Sequence, residues 1–126
     1  GFEVGMNCPN DRYVNDEEIC KAVVTMLARI GVKVNLTAET RGTYFQKILS
    51  RNTSFYLLGW TPGSYDSHNP LNALMATPDP KGRGQFNLGS YSNPKVDELT
   101  AQIAVETDPA KRNAMIREAM KIHQDD

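Results

Sequence analysis

Seven consecutive residues, Ser54-Phe55-Tyr56-Leu57-Leu58-Gly59-Trp60, carry no charge and little polarity. The run is far short of the ~20 apolar residues that span a bilayer. It also lacks the apolar–polar alternation of a strand with one wet face. A run of this kind suits a strand covered by helices on both faces, the environment of a parallel sheet. That reading constrains what precedes it, because parallel neighbours must be joined by long crossover connections.

The preceding residues supply such connections. Residues 2–8 are apolar-rich and alternate, which predicts a first strand, and Pro9-Asn10-Asp11 breaks it. Asn15 is expected to cap a helix, with Glu18 three residues on in a variant of the capping box, and Asp16, Glu17 and Glu18 place negative charge at the positive end of the helix dipole. Ile19, Val23, Met26, Leu27 and Ile30 recur at helical spacing, and Gly31 is placed to supply the left-handed cap. Residues 32–37 alternate as a second strand. Arg41-Gly42 is a break, Thr43 is expected to cap a second helix with Tyr44, Phe45, Ile48 and Leu49 on its apolar face, and Asn52-Thr53 ends that helix. Strand, helix, strand, helix, strand implies an α/β fold. The expected architecture is three-layered, a mainly parallel sheet in order 2-1-3 flanked by helices, with right-handed connections.

The second half reads differently. Residues 61–69 are polar and rich in turn formers. Asn69-Pro70 opens a short helix holding Leu71, Leu74 and Met75. Thr77-Pro78-Asp79-Pro80-Lys81-Gly82-Arg83-Gly84 is expected to be an exposed loop. Asn93-Pro94 opens a helix with Val96, Leu99 and Ile103 inward. Asp108-Pro109 opens the last, with Ala110, Ile116, Ala119, Met120 and Ile122 among its apolar positions. The 126 residues, without internal repeats, are read as a single domain. The chain opens on Gly1 with no secretory signal, which suggests an excised or processed piece.

Several kinds of chemistry are not expected. A net charge of −1 offers no electrostatic draw to nucleic acid or to an anionic membrane. There is no Gly-x-Ser-x-Gly string and no P-loop, and Gly82-Arg83-Gly84 lies in a loop rather than between a strand and a helix. His68 and His123, the two histidines, are far apart in sequence, so neither an enzyme nor a metal or cofactor site is expected. Cys8 and Cys20 form no CxxC and have no second pair to complete a zinc site. A strand end and the first turn of the next helix can approach each other. The pair is therefore either a disulfide, closing a loop of about 13 residues worth roughly 3 kcal/mol by chain-entropy reasoning, or two buried thiols.

Specific strings carry a resemblance. The amphipathic helix followed by Gly31-Val32-Lys33-Val34, the apolar strand ending in Gly59-Trp60, the segment Tyr91-Ser92-Asn93-Pro94-Lys95-Val96-Asp97-Glu98-Leu99, and Asp108-Pro109-Ala110-Lys111-Arg112 before a helix occur here in one order. In that order and spacing the chain resembles the family 5 extracellular solute-binding proteins, the peptide- and nickel-binding receptors of ABC importers. The resemblance covers essentially the whole chain. It implies a type II periplasmic-binding-protein-like lobe, specifically most of the C-terminal lobe of a longer two-lobed receptor that closes on its solute. It further implies an oligopeptide, dipeptide or other small solute as ligand, ABC permease subunits as partners, and a periplasmic location or a lipoprotein at a Gram-positive membrane. The isolated lobe is expected to self-associate. Two other readings compete: a stand-alone α/β binding or signalling module, and a small α/β hydrolase.

Ligands of open α/β sheets sit beyond the C-terminal strand ends, which points to the loops at residues 9–14 and 61–69. The resemblance places the loop after Gly59-Trp60 toward the ligand, so Trp60, Thr61, Tyr65 and Asp66 are candidates, with His68 behind them. Asp66 either accepts hydrogen bonds from a ligand ammonium or caps its own backbone. Peptide binders of the family often carry an acidic residue just after Gly-Trp. Here Thr61, Pro62, Gly63 and Ser64 are not acidic, and Asp66 matches a second acidic position. Trp60 is a ligand wall or a core residue. Arg12 clamps a carboxylate or is solvated, and Tyr13 walls the site or covers the helix start.

Overall fold

The computed structural model describes residues 1–126. Packing divides the chain into two compact units, Gly1–Gly59 and Trp60–Asp126.

The first unit holds β1 (Glu3–Pro9), α1 (Asp16–Ala28), β2 (Lys33–Glu39), α2 (Arg41–Leu49) and β3 (Phe55–Tyr56). The strands form a parallel sheet in the order β2-β1-β3, as the crossover argument requires. Val4 lies beside Val34, and Met6 lies beside both Leu36 and Phe55. On one face Met6, Cys8, Val34 and Cys20 are buried, with Val23, Val24 and Leu27 of α1 packed against them. Helix α1 is therefore turned from its expected face. Cys20, Val23, Val24 and Leu27 form the inward set, while Ile19, Met26 and Ile30 are exposed. The Cys8–Cys20 disulfide is the physical reason, since it fixes Cys20 against the end of β1.

The crossover from β2 to β3 runs on the opposite face of the sheet, where α2 buries Tyr44 and Ile48 completely. The Tyr44 hydroxyl donates to the Leu57 carbonyl, and burial raises its pKa well above the usual tyrosine value. Thr40, not Thr43, stands at the N-cap of α2. The apolar run also behaves differently from its expected role. Only Phe55–Tyr56 joins the ladder, Leu57 adds one backbone bond to Asn7, and residues 55–58 are half-buried rather than enclosed on both faces. Gly31 adopts φ +83° after α1, as expected of the terminating glycine.

The second unit is helical: α3 (His68–Pro70), running into a π-helical turn (Leu71–Met75), then α4 (Pro94–Val105) and α5 (Pro109–Asp125). Leu71, Leu99, Ile103 and Ala119 form its buried centre, with Met75, Met115, Ile116 and Ile122 packed around them. Ala110 and Met120, expected on the apolar face of α5, are exposed. Asn93 and Asp108 cap α4 and α5, each carboxamide or carboxylate oxygen accepting from two backbone N–H groups, with Pro94 and Pro109 at the first turn.

The 77–84 loop exposes only its tip at Pro80, Lys81 and Gly82. The Asp79 carboxylate accepts from the backbone N–H of Lys81 (2.8 Å) and Arg83 (3.0 Å) and folds the loop back. Gly84 sits at φ +64°, and a Cβ there would lie 2.4 Å from the Ala76 carbonyl oxygen, so backbone packs on backbone.

Candidate ligand-binding loops

In the first unit the β1–α1 loop leaves the C-terminal edge of the sheet. Asn15 takes a left-handed conformation (φ 55°) and makes no side-chain cap. Asp16 does that work. Its Oδ2 accepts from the backbone N–H of both Arg12 and Tyr13, each at 2.9 Å, and its Oδ1 accepts from Glu17 N–H at 2.9 Å. These bonds, that from Tyr13 foremost, hold the buried Asp16 carboxyl below its ordinary pKa. The Asp11 carboxylate accepts from the Arg41 backbone N–H at 2.6 Å, which ties the loop to the start of α2. The disulfide between Cys8 and Cys20 closes the base of the loop, with both residues fully buried.

Two side chains rise from this fixed backbone. The Tyr13 ring lies against Gly59, its hydroxyl 3.4 Å from the Gly59 carbonyl oxygen. The exposed Arg12 guanidinium sits 4.8 Å from the centroid of the Tyr13 ring.

In the second unit Trp60 is half-buried. Its indole N–H donates to Asn69 Oδ1 at 2.8 Å, and its ring packs on Phe86 with centroids 5.0 Å apart. Thr61 is exposed, and Tyr65 is 89% exposed at a positive φ of 54°. Asp66 Oδ1 accepts from the His68 backbone N–H and from Arg112 Nη2, both at 2.8 Å. The Arg112 guanidinium, and then the His68 N–H, hold the Asp66 carboxyl below its usual range, and Asp66 in turn raises Arg112. An open cavity of about 460 Å³ is lined by Ser64, Asp66, His68, Asn69, Asn72 and Arg112, along with Ala104. No group of three or more His, Cys, Asp or Glu side chains is placed to hold a metal ion, and no helix is long and apolar enough to cross a membrane.

The predicted residues thus fall in two sets: Arg12 and Tyr13 in the first unit, and Trp60, Thr61, Tyr65, Asp66 and His68 in the second. Sequence reasoning passed over Asp16, Gly59, Asn69 and Arg112, the groups that hold those residues in place. Asp16 was legible only as helix-dipole charge. Its spacing from Tyr13, three residues, was the available signal for a carboxylate that turns back on its own loop.

No family model matches the chain. It is 28% identical over 108 residues to the glutathione-binding protein GsiB of Pectobacterium atrosepticum, covering 82% of this chain and 21% of that protein. Against the protein of the same name from Escherichia coli K12 it is 23% identical over 111 residues, covering 84% and 22%. The chain spans about a fifth of the length of these curated relatives. Among solved structures, the periplasmic binding protein DppA of Helicobacter pylori in complex with the peptide STSA superposes with a TM-score of 0.86 at 21% identity, over 99% of this chain and 24% of that one. The murein tripeptide-binding protein MppA in its unliganded open form gives a TM-score of 0.79 at 25% identity, over 95% and 22%. These relatives are solute-binding proteins rather than enzymes. By sequence and by fold, the chain is similar to one stretch of the family 5 solute-binding proteins of ABC peptide importers.

Proposed function

We propose that this chain is the larger part of the C-terminal lobe, residues 1–126, of an ABC importer's solute receptor. The receptor takes peptide-type solutes without transforming them, closes two lobes over the ligand and docks on a membrane permease. The observation that carries this reading is the Arg12 loop: a cation held on a locked backbone at the C-terminal edge of a parallel 2-1-3 sheet. The similarity to proteins named for glutathione binding over four-fifths of the chain supports the solute class. In the first unit Arg12 receives a ligand carboxylate; within the second unit, taken by itself, Trp60, Thr61 and Tyr65 are the candidate contact surface. Asp66, already occupied by Arg112 and His68 N–H, holds the 61–69 loop in shape. The working location is extracytoplasmic, and the buried disulfide suits an oxidising compartment.

Thermal-shift measurements on the complete receptor test the proposal. Short peptides with free carboxylates, glutathione among them, raise the melting temperature. A receptor that no peptide-type solute stabilises would sink the reading. The isolated chain self-associates through the exposed Ile19 and Met26 of α1 and Ile30 just beyond it. Sedimentation showing monomer at all concentrations would contradict that.

A further inference from the structure

We infer that Tyr13 is a positioning residue, its ring wedged on Gly59 so that the Arg12 guanidinium stands at a fixed point for an anionic group of the ligand. The inference rests on the reading that the β1–α1 loop meets the solute.

Gly59 makes the first part of the case. Its backbone is not among the positive-φ glycines, so no left-handed conformation demands a glycine there. Space does. A Cβ on residue 59 would lie 2.9 Å from Tyr13 Cε1 and 3.3 Å from Cδ1 and Cζ. The aromatic ring occupies the place that any side chain at 59 would need. Tyr13 therefore lies against the chain just beyond β3 with no room to slide inward.

Arg12 makes the second part. Its backbone N–H and that of Tyr13 share one Asp16 oxygen, so the peptide that carries the guanidinium is fixed at two successive residues. The guanidinium rests over the Tyr13 ring at 4.8 Å. Lys21, Lys33 and Lys47 of the same unit are paired with carboxylates, whereas Arg12 has none within salt-bridge distance. An arginine stacked on a ring retains its planar donor fork, and ordering it in advance removes rotamer entropy that binding would otherwise cost. The arrangement favours a solute bearing a carboxylate over one in which that group is neutral.

The test uses the complete receptor and two ligands, a short peptide that binds it and the C-terminal amide of the same peptide, with affinities measured by calorimetry. Wild-type receptor prefers the acid. Equal affinity for acid and amide would overturn the assignment of Arg12 to a carboxylate, and the role of Tyr13 with it. Given a preference, Tyr13→Phe keeps it because the ring remains. Tyr13→Leu and Gly59→Ala each reduce it by roughly three- to tenfold, with amide affinity little changed. If Arg12→Gln abolishes the preference while Tyr13→Leu and Gly59→Ala retain it in full, Tyr13 is only a cover for the helix start and the inference falls. It falls equally if both variants weaken acid and amide alike. Gly59→Ala leaves Tyr13 itself intact, so the question survives a Tyr13→Leu protein that does not fold.

Discussion

In the first unit, segments distant in sequence meet through main-chain ladders. Val4 lies beside Val34, Met6 lies beside Phe55, and one covalent bridge ties the end of β1 to α1. The second unit has no strand, and its irregular stretches are gathered by polar side chains. Asn87 alone donates to the carbonyls of Ala76 and Tyr91 and accepts from Tyr91 N–H, and Asp97 accepts from both the N–H and the hydroxyl of Thr77. A ladder formed by backbone groups survives most single substitutions. A staple made by one carboxamide does not, so the second unit concentrates its vulnerability in a few polar residues.

The largest expected effect is in the helical centre. Ile103→Ala removes a fully buried side chain and lowers stability by about 2–5 kcal/mol in denaturant unfolding. Hydrogen exchange places the loss in α4 and α5. Next comes Cys20→Ser, expected to lower stability by about 3 kcal/mol through the lost crosslink. Its exchange signature lies in β1 and α1, and equal loosening of both units would break the contrast drawn above. Asn87→Ala strands buried backbone groups and costs about 1–3 kcal/mol, read as faster exchange across residues 76–91. Tyr44→Phe, the matching deletion of one polar group in the first unit, costs only about 1 kcal/mol.

Acid has the smallest and most even effect. Asp16, through the Tyr13 N–H first, and Asp79, through the Arg83 N–H first, have carboxyl pKa values lowered by folding. Their stabilisation is present above the ordinary carboxylate pKa of about 3.9. It is lost as pH falls from there through the depressed folded values. An acid titration followed by amide exchange therefore weakens both units together, whereas loss of the bridge separates them.

The same contrast explains what could be read in advance. The sheet order followed from strand–helix alternation and from the handedness of crossovers, both of which leave a periodic trace. The caps Asn93 and Asp108 were legible because each precedes a proline. The orientation of α1 was not, because Cys20 counted as a weak hydrophobe until its partner was known, and the bridge decides which stripe faces inward. The short ladder of β3 was hidden for a related reason: apolar content reports burial, and residues 55–58 obtain theirs by half-covered packing rather than by strand pairing. Among the candidate site residues, Asp66 could be located but not its partner. Arg112 lies 46 positions away, and no periodicity links two ends of an ion pair.

Both cysteines lie beyond the reach of solvent. A dissolved thiolate must touch a sulfur before it can cut the bond. Cleavage in native buffer must therefore wait for a spontaneous opening of the first unit, and the bond becomes a clock. Where opening is the slow step, the rate of reduction stops rising with reductant concentration, and the plateau counts how often that half of the molecule breathes.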